Sequence, residues 1–410
     1  MTALASDAAP SGLPPSRALF ALLSALAAIG SVSTNIILPS FPAIATELGV
    51  PVPRLGLTLS VFFAVFAIGQ LFVGPLSDRY GRRGLVLGGL LAFCAGSALC
   101  ALATDFATLV TGRAIQGLGA CAASVLARAI ARDLFEGETL ARVMAMVVVA
   151  MAAAPGFSPL IGSLAQASFG WRTTFVAVGV LGLGLAVWYA VRLQETHPAS
   201  RRTPLAIGTV FATYGALLAD LRFLRPAIVV SCVTGGLFGF FTAAPNVLIA
   251  GIGLSGTGLA WLFAGTVPVV FASGLLVPRF SRRWGGQRVL QAGMALALAG
   301  GLLVGMVSVL DPRGLAPFTA ALCVFLFGMG MANPLGTALA LGPFGARAGA
   351  ASAMLGFMQM SGAALGAAFV TGLTGAAPMT TLALVLVGSQ IVAIGAFVLL
   401  RPGRPAADPA

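Results

Sequence analysis

Long apolar runs alternate with short polar breaks along almost the whole chain. Twelve runs lie between the charges and the Gly/Pro punctuation: residues 18–39, 55–75, 85–103, 108–130, 142–165, 173–193, 226–249, 257–278, 289–310, 316–341, 350–374 and 378–400. A run of about 20 apolar residues is the length a helix needs to cross the hydrocarbon core of a bilayer. The longest polar interruption, residues 194–225, carries Glu195, His197, Arg201, Arg202, Asp220, Arg222 and Arg225 and divides the runs into two blocks of six. The pattern predicts an all-α polytopic membrane protein with twelve transmembrane helices in two six-helix bundles. Its parts are an N-terminal tail (1–17), a first bundle (18–193), a linker (194–225), a second bundle (226–400) and a C-terminal tail (401–410). Within the linker, residues 203–221 are expected to form an amphipathic helix lying on a leaflet. The segment from Ala18 reads as a retained first span, because no basic region precedes it as in a secretory signal.

Composition agrees with this pattern. Hydrophobic residues make up 59% of the 410 and charged residues only 8%, where a soluble domain has about a quarter. All 23 basic residues are arginine, against 11 acids. A net charge of +12 would suit a nucleic-acid binder only on a solvated face of a foldable domain, and here the arginines sit in short loops between apolar runs. With the N-terminus inside, 19 arginines fall in cytoplasmic segments, three (Arg54, Arg172, Arg313) outside, and Arg113 within a span. Positive charge near span ends is retained on the cytoplasmic side, so both termini are expected there, in a bacterial inner membrane.

Displacing the sequence by 204 residues lays Leu76-Ser77-Asp78-Arg79-Tyr80-Gly81, after span 2, over Phe280-Ser281-Arg282-Arg283-Trp284-Gly285, after span 8. Two six-span halves with corresponding loops are what a transporter built from repeats should show.

The segment Gly74-Pro75-Leu76-Ser77-Asp78-Arg79-Tyr80-Gly81-Arg82-Arg83 resembles the signature G-x-L-a-D-r-x-G-r-r of the major facilitator superfamily, in the loop between spans 2 and 3. A carboxylate beside several guanidiniums can latch one helix end to its neighbour, with Asp78, Arg79 and Arg83 biasing the equilibrium between states. Arg282 stands where Asp78 would be in the second half, so the latch is expected only in the first. Leu109 to Ala120, with Arg113, Gln116 and Gly117, resembles the span 4 motif l-x-x-x-R-x-x-q-G-x-g-a, whose arginine the resemblance ties to proton coupling. An ionisable residue inside the membrane is costly and is by default a functional hypothesis, with snorkelling toward the interface near Asp105 as the plain alternative.

Span 5 contains Pro155-Gly156-Phe157-Ser158-Pro159-Leu160-Ile161-Gly162-Ser163, similar to the antiporter motif g-x-x-x-G-P-x-x-G-g, with Pro155 as an additional proline. Leu38-Pro39-Ser40-Phe41-Pro42-Ala43-Ile44 resembles the L-P-x-x-P-x-I element of the Bcr/CflA drug-resistance branch, except that Asn35 stands about where many members carry an Asp. The resemblance implies alternating-access export of small amphiphiles such as chloramphenicol- or bicyclomycin-like drugs, with protons as the coupling ion. All 11 acids fall in tails, loops or span ends, and a proton antiporter usually carries its proton on a buried acid, so coupling would have to use Glu47, Asp105, the Arg113 region or the substrate. Export of an endogenous sugar or amino acid, and uncoupled facilitation, remain the alternatives.

A substrate cavity is expected to use Asn35, Phe62, Phe66, Phe238, Phe241, Asn246, Asn333 and Gln359, since apolar and aromatic walls with a few polar anchors suit amphiphiles. Gly362-Ala363-Ala364-Leu365-Gly366 reads as a structural small-xxx-small seam. His197 is the only histidine, and the five cysteines lie in apolar runs without metal or redox spacing, so no enzyme, cofactor or metal site is expected. The expected partners are a small-molecule substrate, protons and the lipid bilayer, with no nucleic acid, around a monomer.

Overall fold

The computed structural model describes residues 16–202, 207–311, 313–373 and 377–400, so most of both predicted tails, and residues 203–206 of the linker, lie outside the described residues. Twelve described helical segments are long and apolar enough to cross a membrane. Span 1 is built from α1 (Arg17–Asn35), a 3-10 turn at Leu38–Ser40 and α2 (Phe41–Leu48), because prolines at 39 and 42 cannot continue the hydrogen-bond ladder. The first half continues with α3 (Gly56–Tyr80), α4 (Arg82–Ala101), α5 (Phe106–Leu134), α6 (Gly137–Phe169) and α7 (Arg172–Arg192). A linker helix α8 (Ile207–Ala219) precedes the second half, α9 (Leu221–Ala244), α10 (Gly256–Trp284), α11 (Gly286–Leu310), α12 (Leu315–Leu341), α13 (Ala348–Gly372) and α14 (Pro378–Leu399). A π-helical segment, Pro245–Gly251, extends α9.

Two expectations need correction. The signature after span 2 is not a loop: α3 runs through Tyr80, α4 starts at Arg82, and Gly81 alone turns the chain. It does so at φ +94°, a conformation that favours glycine. Its repeat counterpart, Gly285, joins α10 to α11 in the same way at φ +82°. The second correction is the linker's end. Helix α9 begins at Leu221, capped by Asp220, whose side chain accepts from the Arg222 amide at 2.9 Å. Arg222 and Arg225 looked like loop residues, yet both are helical: Arg222 pairs with Asp220, and Arg225 stacks on Phe397 and donates to its carbonyl at 2.7 Å.

Halves meet along two seams, α3 against α13 and α6 against α10. Within the second half, α13 lies on α9 through glycines: a Cβ at Gly235 would sit 2.8 Å from the Gly362 carbonyl oxygen, and one at Gly366 would meet the Gly235 carbonyl. Close backbone approach replaces hydrophobic burial as the source of packing energy when the solvent is itself hydrocarbon. Large apolar side chains such as Phe169, Val191, Leu302 and Leu399 are correspondingly exposed on the outside of the bundle.

Helix α8 is more than a leaflet float. Pro75 lacks the amide that would bond the Leu71 carbonyl four residues back in α3, and Tyr214 of α8 donates its hydroxyl to that carbonyl at 3.0 Å. Leu217, Phe223, Ala351 and Met354 share a small core with Tyr214, so α8 is packed across the ends of both halves. At the linker's start, Glu195 accepts amides from Arg82 (2.8 Å), Arg83 (3.2 Å) and His197 (3.0 Å). Its carboxylate thus fills the open N-terminus of α4. Burial acts to raise the Glu195 pKa, but these amides and the charge of Arg202 hold it below the ordinary glutamate value.

Replacing Gly366 by Ala should cost at least about 1 kcal/mol by overpacking and lower the melting temperature in detergent, whereas Gly184→Ala, which meets open space inside α7, should hold or raise it. A carboxyl held below its unfolded pKa stabilises the fold above that unfolded value, and the contribution is lost as pH falls through the lowered folded value. The melting-temperature advantage of wild type over Glu195→Gln should therefore be full at about pH 7 and shrink toward about pH 4.

Candidate functional site

A chamber of about 320 Å³ lies between the halves, lined from α1, α3, α5, α6, α9, α12 and α13. Phe62, Phe63, Phe66 and Phe238 supply an aromatic wall and Met144, Met151 and Met360 a flexible apolar one, while Gln70, Arg128, Arg132 and Gln359, with hydroxyls such as Thr34, Ser124 and Thr337, add polar points. Phe63 of α3 and Phe238 of α9 touch across the two halves, ring centroids 4.4 Å apart. A second chamber of about 490 Å³ adjoins it at the linker end, sharing Gln70, Arg128, Arg132 and Ser352 and reaching Asp78, Asp133 and the α8 residues Thr209, Thr213 and Tyr214. At the opposite end the halves are in contact: a Cβ on Gly256 would lie 3.4 Å from the Pro39 side chain, and one on Gly56 would meet Thr242 and Thr371. The pathway is open toward the linker and shut at the far end.

Four of the expected cavity residues, Phe62, Phe66, Phe238 and Gln359, stand in the wall of the central chamber. The other four line neither chamber. Asn35 is buried at the end of α1 and turned back on its own helix, its amide donating to the Ser31 carbonyl at 2.9 Å and to the Thr34 hydroxyl at 3.2 Å. Phe241 is packed between Phe240 of α9 and Phe263 of α10. Asn246 belongs to the π-helical segment Pro245–Gly251, and Asn333 lies within α12 beside Pro334.

The signature residues form a network inside the first half. Arg82 is paired with Asp78 at 2.6 Å and with Asp133 of α5 at 3.1 Å, and also donates to the Ser77 hydroxyl. Ser77 in turn donates to the Gly74 carbonyl at 2.7 Å. Arg83 donates to the Ala190 carbonyl of α7 at 3.0 Å. Arg82, then, is the hub, joining α3, α4 and α5. Arg79 is exposed and lies over the Tyr80 ring, outside this network.

Arg113 is fully buried, which removes snorkelling as an account of it. Its guanidinium donates to the Ser33 hydroxyl (3.1 Å), the Ser33 carbonyl (3.2 Å) and Gln116 (2.8 Å), with the Phe62 ring 4.6 Å away. Gln116 passes the chain on to Ser97 at 2.6 Å. Gly117 lets α5 touch the backbone of α3 at Phe62, where a Cβ would come within 2.6 Å of the carbonyl oxygen. Arg113 thus ties α1 to α5 directly beneath an aromatic of the chamber. In α6, Pro159 and Gly162 are buried and Pro155 is half-buried; a Cβ on Gly162 would collide with the Ile36 carbonyl of α1, while Gly156 faces Val267 of α10. One face of α6 therefore holds its own half and another forms the seam.

Both interfacial acids considered for coupling are already engaged. Glu47 accepts from Arg172 and from the Trp171 indole (2.7 Å), and Asp105 caps α5 by accepting the Thr108 amide at 2.8 Å.

Sequence reasoning missed Arg128 and Arg132 as cavity residues because the apolar run was closed at residue 130, leaving Arg132 outside it and both read as marks of topology. Helix α5 runs on to Leu134, and Ser124, Arg128 and Arg132, spaced by four, form one face that lines the chambers. That spacing was the available signal.

The sequence model of the major facilitator superfamily matches residues 22–367. The chain is 34% identical over 346 residues to the uncharacterized MFS-type transporter YdgK of Bacillus subtilis, across 84% of this chain and 86% of that protein. It is 30% identical over 392 residues to the multidrug resistance protein MdtL of Salmonella heidelberg, across 94% and 95% respectively. Its fold is similar to the crystal structure of a bacterial homologue of the human lysosomal transporter Spinster, inward-facing and unoccupied, with a TM-score of 0.72 at 16% identity over 94% of this chain and 95% of that one. Twelve membrane-length helices, two halves around a shared chamber and these matches lead to one conclusion: the chain belongs to the major facilitator superfamily.

Proposed function

We propose that the protein exports small amphiphilic, drug-like molecules across a bacterial inner membrane by alternating access, with both termini cytoplasmic and protons as the exchanged ion. The observation that carries this reading is the aromatic- and methionine-walled chamber between the halves, open at the arginine-rich linker end and shut at the other. By the positive-inside rule the open end is cytoplasmic, where an exporter must collect its cargo. The hydrogen-bonding groups of the wall are interleaved with this aromatic and methionine lining, a mix that suits amphiphiles. A full-length relative named as a multidrug resistance protein supports the same class.

In this cycle the Asp78–Arg82–Asp133 network holds α3, α4 and α5 as one rigid end that moves against α13. Asp78 shares the outer chamber with Gly349 and Ala350 of the first turn of α13, so closure on this side would bring a carboxylate toward a helix N-terminus. A second reading, uncoupled facilitated export, is favoured by one observation: the wall of the central chamber contains no Asp or Glu.

Asp78→Asn should lower drug export severalfold while membrane abundance stays at the wild-type level, read by whole-cell accumulation beside an immunoblot; unchanged export would remove the latch. In liposomes carrying an imposed pH gradient, chloramphenicol uptake should accelerate when the gradient drives protons in the opposite direction and fall back when a protonophore collapses it. Uptake indifferent to the gradient would overturn proton exchange and leave the facilitator.

A further inference from the structure

Arginines reach the chambers from one face of α5, where Arg128 and Arg132 follow Ser124 at intervals of four residues. Both line the central chamber and the one that adjoins it. Of the three arginines that line the chambers, Arg82, Arg128 and Arg132, only Arg82 is in an ion pair. Arg82, Arg142, Arg172 and Arg222 are each in an ion pair, and Arg279, Arg282, Arg283 and Arg288 are exposed at span ends. Arg128 is half-buried, its one hydrogen bond goes to the Met151 sulfur at 3.8 Å, and neither it nor Arg132 has a carboxylate partner among the described residues. The two acids of the outer chamber, Asp78 and Asp133, are both taken by Arg82. The central chamber therefore holds a fixed positive charge opposite an aromatic wall.

A guanidinium in such a place is costly unless something anionic meets it, and its planar fork of donors fits the two oxygens of a carboxylate or sulfonate. Unlike a carboxylate, it cannot lose its charge to admit a cation. We propose that the preferred substrates are amphiphiles with an anionic head, which Arg128 pairs while Phe62, Phe66 and Phe238 hold the apolar body, and that Arg132 draws the anion in from the linker side. This deepens the export reading above and rests on it. A plain topological role would leave Arg128 indifferent to the substrate's charge, and that difference can be measured.

The test uses the full chain in proteoliposomes with three labelled compounds: a phenylbutyl sulfonate, the matched phenylbutyl trimethylammonium, and neutral chloramphenicol. Wild type should move the sulfonate at least about tenfold faster than the ammonium, the scale of one charge-assisted hydrogen-bonded pair. Arg128→Gln should cut that sulfonate-to-ammonium ratio by about tenfold, and Arg128→Lys, which keeps the charge but not the planar fork, should give a ratio between the two. An ammonium rate equal to or above the sulfonate rate in wild type overturns the proposal, as does an Arg128→Gln ratio like wild type. Chloramphenicol transport without sulfonate transport sinks the anion proposal and leaves drug export standing; transport of none of the three sinks both. Should Arg128→Gln fail to reach the membrane, the wild-type comparison alone decides.

Discussion

In hydrocarbon there is no water to satisfy a polar group, so each backbone amide, carbonyl and charge must find its partner inside the protein. The architecture follows from that constraint. Twelve helices satisfy their own backbones, and where a proline breaks the ladder another element supplies the missing donor, as Tyr214 does for Leu71. Where a turn must be made in a single residue the chain uses glycine in a left-handed conformation, at Gly81 and again at Gly285. Where a charge is fully buried, as at Arg113, a serine, a glutamine and a backbone carbonyl gather round one guanidinium nitrogen, while Nε and Nη2 stay without a hydrogen-bond partner among the described residues. These solutions are also what connects the elements: the Tyr214 bond couples the linker to α3, and Arg113 couples α1 to α5.

The same constraint explains how far the sequence could be read. Apolar runs of membrane length are forced by the bilayer, so the number of spans, the two halves and the repeat offset of 204 residues were legible. Phe62, Phe66, Phe238 and Gln359 line the central chamber. Span ends were not legible, because long arginine side chains let a helix continue past the hydrocarbon: α5 carries Arg132, α10 carries Arg282 and Arg283, and α9 carries Arg222 in its first turn. Closing the run at residue 130 and reading Arg128 and Arg132 only as marks of topology hid the face that places both in the chambers. The asparagines failed for a different reason. Near a helix end a short amide can bond its own backbone, as Asn35 does to Ser31, and nothing in the sequence tells that from an amide aimed at a ligand.

Charge in the pathway is arranged so that little of it can titrate. Arginine keeps its proton throughout the physiological range. The carboxylates nearest the pathway are committed to Arg82, and Glu47 and Asp105 serve Arg172, Trp171 and the start of α5. A ligand can shift an equilibrium between two states only by its difference in affinity for them. The chamber wall is drawn from the helices that form the seams: Phe66 and Gln70 from α3, Met151 from α6, and Gly356 and Gln359 from α13. In the proposed cycle, filling the chamber therefore acts directly on the contacts that separate or close as the halves rock. In that proposed cycle the substrate itself, through its fit to those walls, is the first term in the energetics, and a coupling ion would enter by changing that fit.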